Sequence, residues 1–584
     1  MSFEKKLLVP DTLTLEDRAA YSLNAMIGVA DEEHDYIPFF SGFFQSDPAW
    51  MSHGNWDYGS SHGRLTDAVI LARRMTGSSY GEEVEEHYHQ NLLSFFKEDG
   101  LNYRRNNFSE KTIIEHMSRF EDSASMIDQR AVLLGLTTWF METGDERAKE
   151  AADRHVAALK RIARKERDSW YYPASEFTEH GWPSFDAVHT RLCPDPAAMW
   201  GRQVFPIIRY YQLTGSRDAL ELAENFAANI VNRSGVFGED GSFNPALGYR
   251  NGHFHTRMGT LASLARFADV TDDSFLIAYV KKCFDWARTQ CTSFGWTPGD
   301  LADQAYEHET CTLVDAIGTA IILASKGYTE YWGVAERFIR GHLTEAQLLD
   351  TSWIQQYDKK DKDTTNRTYY KVADRLKGAF AGYAAPNDFV YSGQWGRGHI
   401  MDVQTCCLAG GTRGLYNAWS HIVTEKNGRV SVNMLFNRST NKLNVFSYLP
   451  HEGKVVIEAL CDIPELQVRT PEWIPYGAAN VEIRPAEGEA KQFNGRQLPW
   501  LKKYFIKLTG IRRGDTVTLT FPMMKRVTTE KAVNLEYRTQ WLGDDVVGID
   551  PQGTYYPLYS NKKVYEKAPM VEKILHVEDK PSLD

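Results

Sequence analysis

The chain has 584 residues, of which 42% are hydrophobic and 24% are charged. These fractions are typical of a folded globular protein, and the length is sufficient for two or three domains with sizeable cores. The net charge of −11 is spread along the chain, which argues against nucleic acid or an anionic membrane as the main partner.

The number of cysteines and the N-terminal sequence indicate the cellular compartment of the protein. Seven cysteines are too few, and odd in number, for a disulfide framework, so a reducing compartment is favoured. The N-terminus has no apolar stretch followed by a small-residue cleavage site, and no run of about 18 apolar residues predicts a membrane-spanning helix. We therefore expect a cytoplasmic protein, with the loss of a leader as the alternative.

Residues 1–425 show helical periodicity, with amphipathic helices paired across short turns. Glycine in such a turn supplies a left-handed C-cap, and Ser or Asp then caps the next helix. The turns are Thr76-Gly77, Thr143-Gly144, Thr214-Gly215, Thr271-Asp272 and Lys326-Gly327. Repeated hairpins bury their apolar faces either in a solenoid or in a closed (α/α)6 toroid. The long connections, rich in His, Trp and Tyr, favour the toroid because they would meet at one rim.

Residues 426–584 show a different pattern, in which apolar and polar residues alternate with a period of two. The alternation is clearest at 430–436, 454–460, 466–469, 504–508 and 516–521. Such segments, separated by turn residues, predict a C-terminal β-sandwich, followed by a short loose tail.

A carboxylate and three thiols stand in two separate short segments. Glu309 and Cys311 lie in one segment, and Cys406 and Cys407 are adjacent in a later one. Three thiolates and a carboxylate can supply a tetrahedral zinc shell, and a zinc-bound thiolate could also be a nucleophile. The alternative is that the cysteines are buried small hydrophobic residues in separate places, since no C-x-x-C pair is present.

The helical hairpins, the E-T-C and T-C-C segments and the sandwich together resemble glycoside hydrolase family 127, the β-L-arabinofuranosidase type. Residues 411–415, 466–473 and 504–523 carry further likeness. The resemblance implies that Glu309, Cys311, Cys406 and Cys407 bind one Zn²⁺, and that Cys406 is the nucleophile of a retaining glycosidase. The expected reaction releases a terminal furanose, such as β-L-arabinofuranose, from a plant-type glycan or glycoside.

The general acid/base is where this sequence departs from the family. The resemblance implies a glutamate upstream of Glu309, but the ungapped position holds Ser293. A shortened loop would bring Asp300 into the role, and Asp303 and Glu307 are the other carboxylates nearby. The alternative for Asp300 is a helix cap at a turn tip. The departure favours a different sugar or a different proton donor.

Polar residues at the starts of the predicted inner helices are candidate substrate contacts. His255 matches a substrate-contacting histidine of the family, with a hydrogen-bonded core histidine as the alternative. Arg130 and Arg202 stand where the family often has Gly-His. Guanidinium groups at one rim would bind a substrate carboxylate, as in an acidic sugar, whereas salt bridges between helices are the alternative.

Three more candidates lie in glycine-rich segments that predict loops bending into a pocket. Trp56 precedes the first hairpin helix, and Trp395 and His399 lie just before the cysteine pair. Each tryptophan would suit a sugar face, and core packing is the alternative for both.

The sequence leaves two other functions open. One is a different carbohydrate-active enzyme on the same scaffold, such as a lyase or an acidic-sugar hydrolase. The other is a non-catalytic glycan-binding protein, because closed four-ligand zinc sites are usually structural. In every case the expected partner is a carbohydrate, with neither nucleic acid nor membrane, and a homodimer is compatible with the sequence.

Overall fold

The structure is a computed structural model that describes most of the chain. The described residues are 3–54, 56–104, 122–167, 169–183, 195–246, 252–301, 308–391, 401–502, 504–532, 534–560, 567–577 and 582–583. Within them, the helices are α1 Leu15–Gly28, α2 Gly59–Thr76, α3 Glu82–Ser94, α4 Met126–Thr143, α5 Glu146–Ile162, α6 Val204–Thr214, α7 Arg217–Asn232, α8 Phe254–Val270, α9 Ser274–Arg288, α10 Thr310–Ser325, α11 Tyr331–Phe338, α12 Val372–Arg375 and α13 Thr405–Ile422.

Six of these helices form a closed inner ring. In order around the ring they are α2, α4, α6, α8, α10 and α13, and α13 packs back onto α2. An outer layer of α1, α3, α5, α7, α9 and α11 packs against them. The closed ring confirms the predicted (α/α)6 toroid. None of the described helices is both long enough and apolar enough to cross a membrane.

The Thr-Gly turns between inner and outer helices have the predicted geometry. Gly144 and Gly215 are left-handed, each with a φ of 71°, and end α4 and α6. Asp145 and Ser216 then accept hydrogen bonds from backbone N–H groups of α5 and α7. Because every such turn leads from an inner helix to an outer one, the inner helices run in the same direction. Their N-termini therefore lie at the same end of the toroid.

Strand β1 Phe3–Pro10 precedes α1. Short strands lie between the helices: β2 Ala30–Asp31, β3 Ile37–Pro38, β4 Ser41–Phe43, β5 Trp50–Ser52, β6 Ala124–Ser125, β7 Arg164–Glu166, β8 Ser169–Tyr171, β9 Glu176–Phe177, β10 Arg367–Thr368 and β11 Val403–Gln404. A small sheet has the order β10-β5-β4-β11. Because β11 leads directly into α13, this sheet holds the start of α13 in place.

Two packed sheets follow the toroid. The strands after α13 are β12 Val423–Lys426, β13 Arg429–Val432, β14 Arg438–Ser439, β15 Leu443–Ser447, β16 Lys454–Ala459, β17 Ile463–Arg469, β18 Asn480–Arg484, β19 Lys491–Asn494, β20 Trp500–Lys502, β21 Phe505–Ile511, β22 Thr516–Thr520, β23 Lys525–Ala532, β24 Leu535–Leu542, β25 Asp545–Asp550 and β26 Met570–Val577. The sheets β12-β13-β17-β21-β20 and β14-β15-β16-β22-β18-β19 enclose one apolar core. This confirms the predicted β-sandwich.

The last strands return to the helical part of the molecule. The sheet β23-β24-β25 contributes Tyr537, Trp541 and Val546 to the apolar core of the toroid. Strand β26 pairs with β1, so the first and last of these strands lie side by side. The segment after β22 therefore packs against the toroid. The division of the chain at 425/426 into a toroid domain and a sandwich domain stays a prediction.

Candidate metal centre and active site

Three thiols meet at the end of the toroid where the inner helices begin. The Sγ atoms of Cys311 and Cys407 are 3.7 Å apart, and those of Cys406 and Cys407 are 4.0 Å apart. Cys311 and Cys407 are buried, whereas Cys406 is partly exposed. The structure thus brings together the two distant cysteine segments, as the zinc hypothesis requires.

The position of the thiols follows from the packing of two neighbouring inner helices. Cys311 lies in the first turn of α10, and the cysteine pair lies in the first turn of α13. The start of α13 is fixed by Thr405, whose hydroxyl donates to the carbonyl of Phe39 at 2.7 Å. A Cβ added at Gly410 would lie 3.0 Å from Cys311 Sγ, so glycine at this position allows the close approach of the sulfur.

The charges of the three thiols are strongly linked. Hydrogen bonds from Cys406 and Cys407 hold the pKa of Cys311 well below its usual value. The same contacts with Cys311 raise the pKa of Cys406, and they raise that of Cys407 well above its usual value. The protonation of each sulfur therefore depends on the other two, and a cation bound between them would favour the thiolate form of all three.

Glu309 lies beside this cluster and is held by two histidines. His253 Nε2 is 3.0 Å from Glu309 Oε1, and His255 Nδ1 is 2.8 Å from Glu309 Oε2. Burial would raise the pKa of Glu309, but His253 and His255 hold it well below its usual value. The carboxylate is therefore ionised and can accept a metal or hydrogen-bond donors.

The donor set can be compared with zinc geometry. A tetrahedral zinc with sulfur ligands at about 2.3 Å places the sulfurs about 3.8 Å apart, and the measured 3.7 and 4.0 Å agree with this. The ligand atoms of the three cysteines lie within 4.8 Å of one another. Glu309 forms a separate group with His253 and His255. The sulfur positions fit zinc, and Glu309 as the fourth ligand stays a prediction.

Two arginines lie beside the thiols and the histidines. Arg64 Nη1 lies 3.8 Å from Cys311 Sγ, and Arg202 Nη2 lies 2.8 Å from His255 Nε2. Asp315 Oδ2 is 3.4 Å from that same histidine nitrogen. Arg202 follows a π-helical turn, Ala197–Gly201, a rare distortion that is frequent at functional sites. His255 and Arg202 therefore both lie at the centre, whereas their roles as substrate contacts stay predictions.

The structure places Asp300 next to the histidine segment. Asp300 is buried and forms a backbone bridge with His253. It also lines a cavity of about 310 Å³ whose lining residues include Trp296 and Ala532 but no cysteine. Its assignment as the acid/base stays a prediction, and Asp303 and Glu307 lie outside the described residues.

The other sequence candidates are distributed differently. Trp56 lies just before α2, and the guanidinium carbon of Arg104 lies 4.6 Å from the centre of its ring. Arg104 is also paired with Asp128 at the start of α4, at 2.7 Å. Trp56 is therefore at the same end of the toroid as the thiols. Trp395 and His399 fall outside the described residues.

Three residues at the centre were not among the sequence candidates. They are Arg64, His253 and Asp315. Asp315 follows Cys311 by one helical turn, so the i, i+4 rule would have placed both on one face of α10. His253 could have been found by treating the His-x-His pair as a unit. Nothing in the sequence near Arg64 indicates that it reaches Cys311, because that contact joins two different inner helices.

Solved structures with this fold are known. One is a β-L-arabinofuranosidase of glycoside hydrolase family 127 from Geobacillus stearothermophilus T6, with 14% identity and a TM-score of 0.57 over 92% of this chain and 80% of that chain. A second, a β-arabinofuranosidase of the same family, has 14% identity and a TM-score of 0.59 over 93% of this chain and 83% of that chain. A third, a glycoside hydrolase, has 12% identity and a TM-score of 0.55 over 93% and 83%.

These likenesses confirm the predicted fold, a helical toroid followed by a β-sandwich. No family profile matches the sequence, and no curated protein matches it in sequence. The likeness is therefore one of architecture along nearly the whole chain, and the chemistry has to be argued from the site.

Proposed function

We propose that this protein is a retaining glycoside hydrolase in which Cys406 is the nucleophile. The observation that carries the proposal is the convergence of three thiols at the start of two inner helices, with only Cys406 partly exposed. A nucleophile has to reach the substrate, whereas a purely structural thiol does not. The first turn of α13 adds the positive end of a helix dipole, which favours a thiolate there.

Glu309, Cys311, Cys406 and Cys407 would hold a zinc ion. When bound, zinc would keep the thiols deprotonated and fix their positions. His253 and His255, at 3.0 and 2.8 Å from the oxygens of Glu309, would orient the carboxylate. Arg64, at 3.8 Å from Cys311 Sγ, would stabilise the negative charge of the sulfurs.

The reaction has two displacement steps. The thiolate of Cys406 attacks the anomeric carbon, a C–S bond forms, and the C–O bond to the leaving group breaks. An acid donates a proton to the leaving oxygen as that bond breaks. The same group then removes a proton from water, which attacks the anomeric carbon, so the C–S bond breaks and the thiolate is restored. Asp300 is our candidate for the acid/base.

The substrate to test first is a terminal β-L-arabinofuranoside, because one similarly folded protein is named as a β-L-arabinofuranosidase and another as a β-arabinofuranosidase. The assay measures release of the aryl group from aryl furanosides and pyranosides by the wild type and by Cys406→Ala, with the zinc content of each determined. We expect cleavage by the wild type alone, with Cys406→Ala folded and inactive. Cys461→Ala is the matched control, because this partly exposed thiol lies in the sandwich, and it should remain active.

A second measurement tests Asp300 as the acid/base. Asp300→Asn should slow substrates with poor leaving groups more than those with activated aryl leaving groups, since only the former need protonation. Full activity of Cys406→Ala would refute the nucleophile. A zinc-loaded wild type that cleaves no member of the panel would instead support a structural metal in a glycan-binding protein, and an unsaturated product absorbing in the ultraviolet would identify a lyase.

A further inference from the structure

The side chain of Gln404 carries a polar atom for which the fold has no use. Gln404 directly precedes α13 and stands two residues before Cys406. Polar side chains at this position often cap the helix, but the Gln404 side chain makes no capping hydrogen bond. The residue is 5% exposed, and its Nε2 atom is buried and makes no hydrogen bond with any described residue. Because buried amide groups are normally paired, this donor remains available for a ligand.

The other end of this amide contacts the proposed nucleophile. The thiol of Cys406 donates to Gln404 Oε1, with 3.5 Å between the sulfur and the oxygen. Because the oxygen and the nitrogen of an amide are bonded to the same carbon, Nε2 lies within about 6 Å of that sulfur. Of the three clustered thiols, only Cys406 is partly exposed. A sugar that Cys406 attacks therefore has to lie within reach of the Gln404 amide.

The sheet that holds the start of α13 turns Gln404 away from the apolar core. Gln404 on β11 lies opposite Ser41 on β4, and Ser41 lies opposite Ser52 on β5. Residues directly opposite each other in antiparallel strands share one face of the sheet. The other face carries Met51 and Val403, which are each 1% exposed and belong to the core of the toroid, whereas Ser52 is half-buried. Gln404 thus extends from the more open face of this sheet.

The chemistry of the reaction decides which sugar atom this donor can bind. In a reactive complex the anomeric carbon lies about 3–3.5 Å from the attacking sulfur. Apart from the leaving oxygen, the oxygens nearest to that carbon are the ring oxygen and the 2-hydroxyl group. The ring oxygen gains positive charge in the oxocarbenium-like transition state, so an N–H donor there would oppose the reaction. A hydrogen bond to the 2-hydroxyl group strengthens in the transition state and assists it.

We propose that Gln404 Nε2 donates a hydrogen bond to the 2-hydroxyl group of the sugar that Cys406 attacks. The inference rests on the proposed glycosidase function and names a residue that selects its substrates. A site with a buried donor rejects a substrate that lacks the matching hydroxyl, because binding then leaves the donor unpaired. The substrates are therefore glycosides with a free 2-hydroxyl group, and 2-deoxy glycosides are poor substrates.

A kinetic cycle that removes each half of the contact in turn tests the proposal. The substrates are the aryl glycoside that the wild type cleaves and its 2-deoxy counterpart. Gln404→Met removes the amide and keeps an unbranched side chain. We expect kcat/KM of this variant to fall at least about tenfold for the hydroxyl-bearing glycoside and less than about twofold for the 2-deoxy glycoside. An equal fall for the two substrates would overturn the proposal.

Gln467→Met is the matched control. Gln467 is also a buried glutamine, 7% exposed, but it lies in β17 of the sandwich and donates to Glu465 at 2.7 Å. This variant should leave kcat/KM unchanged for both substrates, and a selective loss like that of Gln404→Met would overturn the assignment. If Gln404→Met does not fold, Gln404→Asn takes its place, because the shortened amide should show the same dependence on the 2-hydroxyl group.

Calorimetry on the zinc-loaded full chain tests the contact without turnover. The probes are L-arabinose with 2-deoxy-L-ribose, which lacks only the 2-hydroxyl group, and D-galactose with 2-deoxy-D-galactose. We expect the wild type to bind the hydroxyl-bearing member of at least one pair about fivefold more tightly. Gln404→Met should bind both members alike. Equal binding within each pair by the wild type, or no binding of any of the four sugars, would overturn the proposal.

Failure of the proposed function gives a different pattern. Cleavage that depends on Cys406 but falls equally for both glycosides in Gln404→Met refutes the contact and leaves the glycosidase intact. Selective binding that is lost in Gln404→Met, with no glycoside cleaved, refutes the glycosidase and leaves the contact standing. Cleavage that depends on Cys406, with a selective loss in Gln404→Met, supports both.

Discussion

Replacing Gly259 with alanine tests how tightly the centre is packed. The new Cβ would lie 2.7 Å from Arg202 Nε and 2.8 Å from Asp315 Oδ2. Both distances are below normal van der Waals contact, so the Arg202 side chain has to move. In moving, it would lose its 2.8 Å contact with His255, which in turn holds Glu309.

The magnitude can be worked from three contributions. Overpacking a buried site costs about 1–3 kcal/mol, and losing a hydrogen bond from a charged group costs about 1.5–3 kcal/mol. Alanine in place of glycine within a helix returns about 1 kcal/mol. The expected net loss of stability for Gly259→Ala is therefore about 1.5–5 kcal/mol.

Gly318→Ala is the matched control on the facing helix α10. Gly318 lines the same cavity as Gly259, but its added Cβ would meet only Asn417 Nδ2, at 3.6 Å, an ordinary contact. This variant should gain about 0.5–1 kcal/mol from helix propensity alone. The two substitutions are chemically identical, so their difference isolates the clash with Arg202 and Asp315.

Urea unfolding followed by tryptophan fluorescence and circular dichroism measures both variants under the same conditions. The chain has more than one packed unit, so coincidence of the two probes has to be checked before free energies are compared. We expect a lower midpoint for Gly259→Ala and an unchanged or higher one for Gly318→Ala. Equal midpoints, with unaltered product release, would refute the argument that Arg202 is held by packing against α8.

Two further predictions concern stability away from the thiols. Glu336 is buried in α11, where it accepts a hydrogen bond from Arg340 Nε at 2.8 Å and pairs with Arg469 of the sandwich. Glu336→Ala should therefore lower the free energy of unfolding by about 3–5 kcal/mol and separate the unfolding of the toroid from that of the sandwich. A single transition at the wild-type urea midpoint would contradict this. Burial would lower the pKa of His53, but hydrogen bonds with Asp31 and Asp57 raise it to about 9. The folded state binds this proton more tightly, so the stabilisation is complete below about pH 6.5 and is lost as the pH rises through about 9, by up to about 3 kcal/mol. Urea titrations of His53→Gln should show no such loss of stability between pH 6.5 and 9. If the free energy of unfolding falls with pH as steeply as in the wild type, His53 is not its source.

The sequence by itself determined the architecture. Helical periodicity with Thr-Gly turns predicts hairpins because glycine alone adopts the left-handed cap without strain, and Gly144 and Gly215 have that conformation. Period-two alternation after residue 426 predicts a sandwich because it separates a buried from an exposed face, as in β16 and β22. These are local rules, and a local pattern is enough to apply them.

The centre was predicted only in part. Cys311 and the cysteine pair were found because thiols are rare and have few uses, and the resemblance supplied their roles. His255 and Arg202 were found as polar residues at the starts of inner helices. The pairing of His253 with Glu309, at 3.0 Å, was not, although both residues stood in segments already selected.

Only the tertiary structure decided which charges meet. Arg64, Arg130 and Arg202 are far apart in sequence and come together because α2, α4 and α6 are neighbours in one closed ring. Whether a buried arginine is paired depends on residues from other helices, and no local pattern encodes that distance. The set of charges beside the thiols is therefore a property of the closed toroid rather than of any one segment.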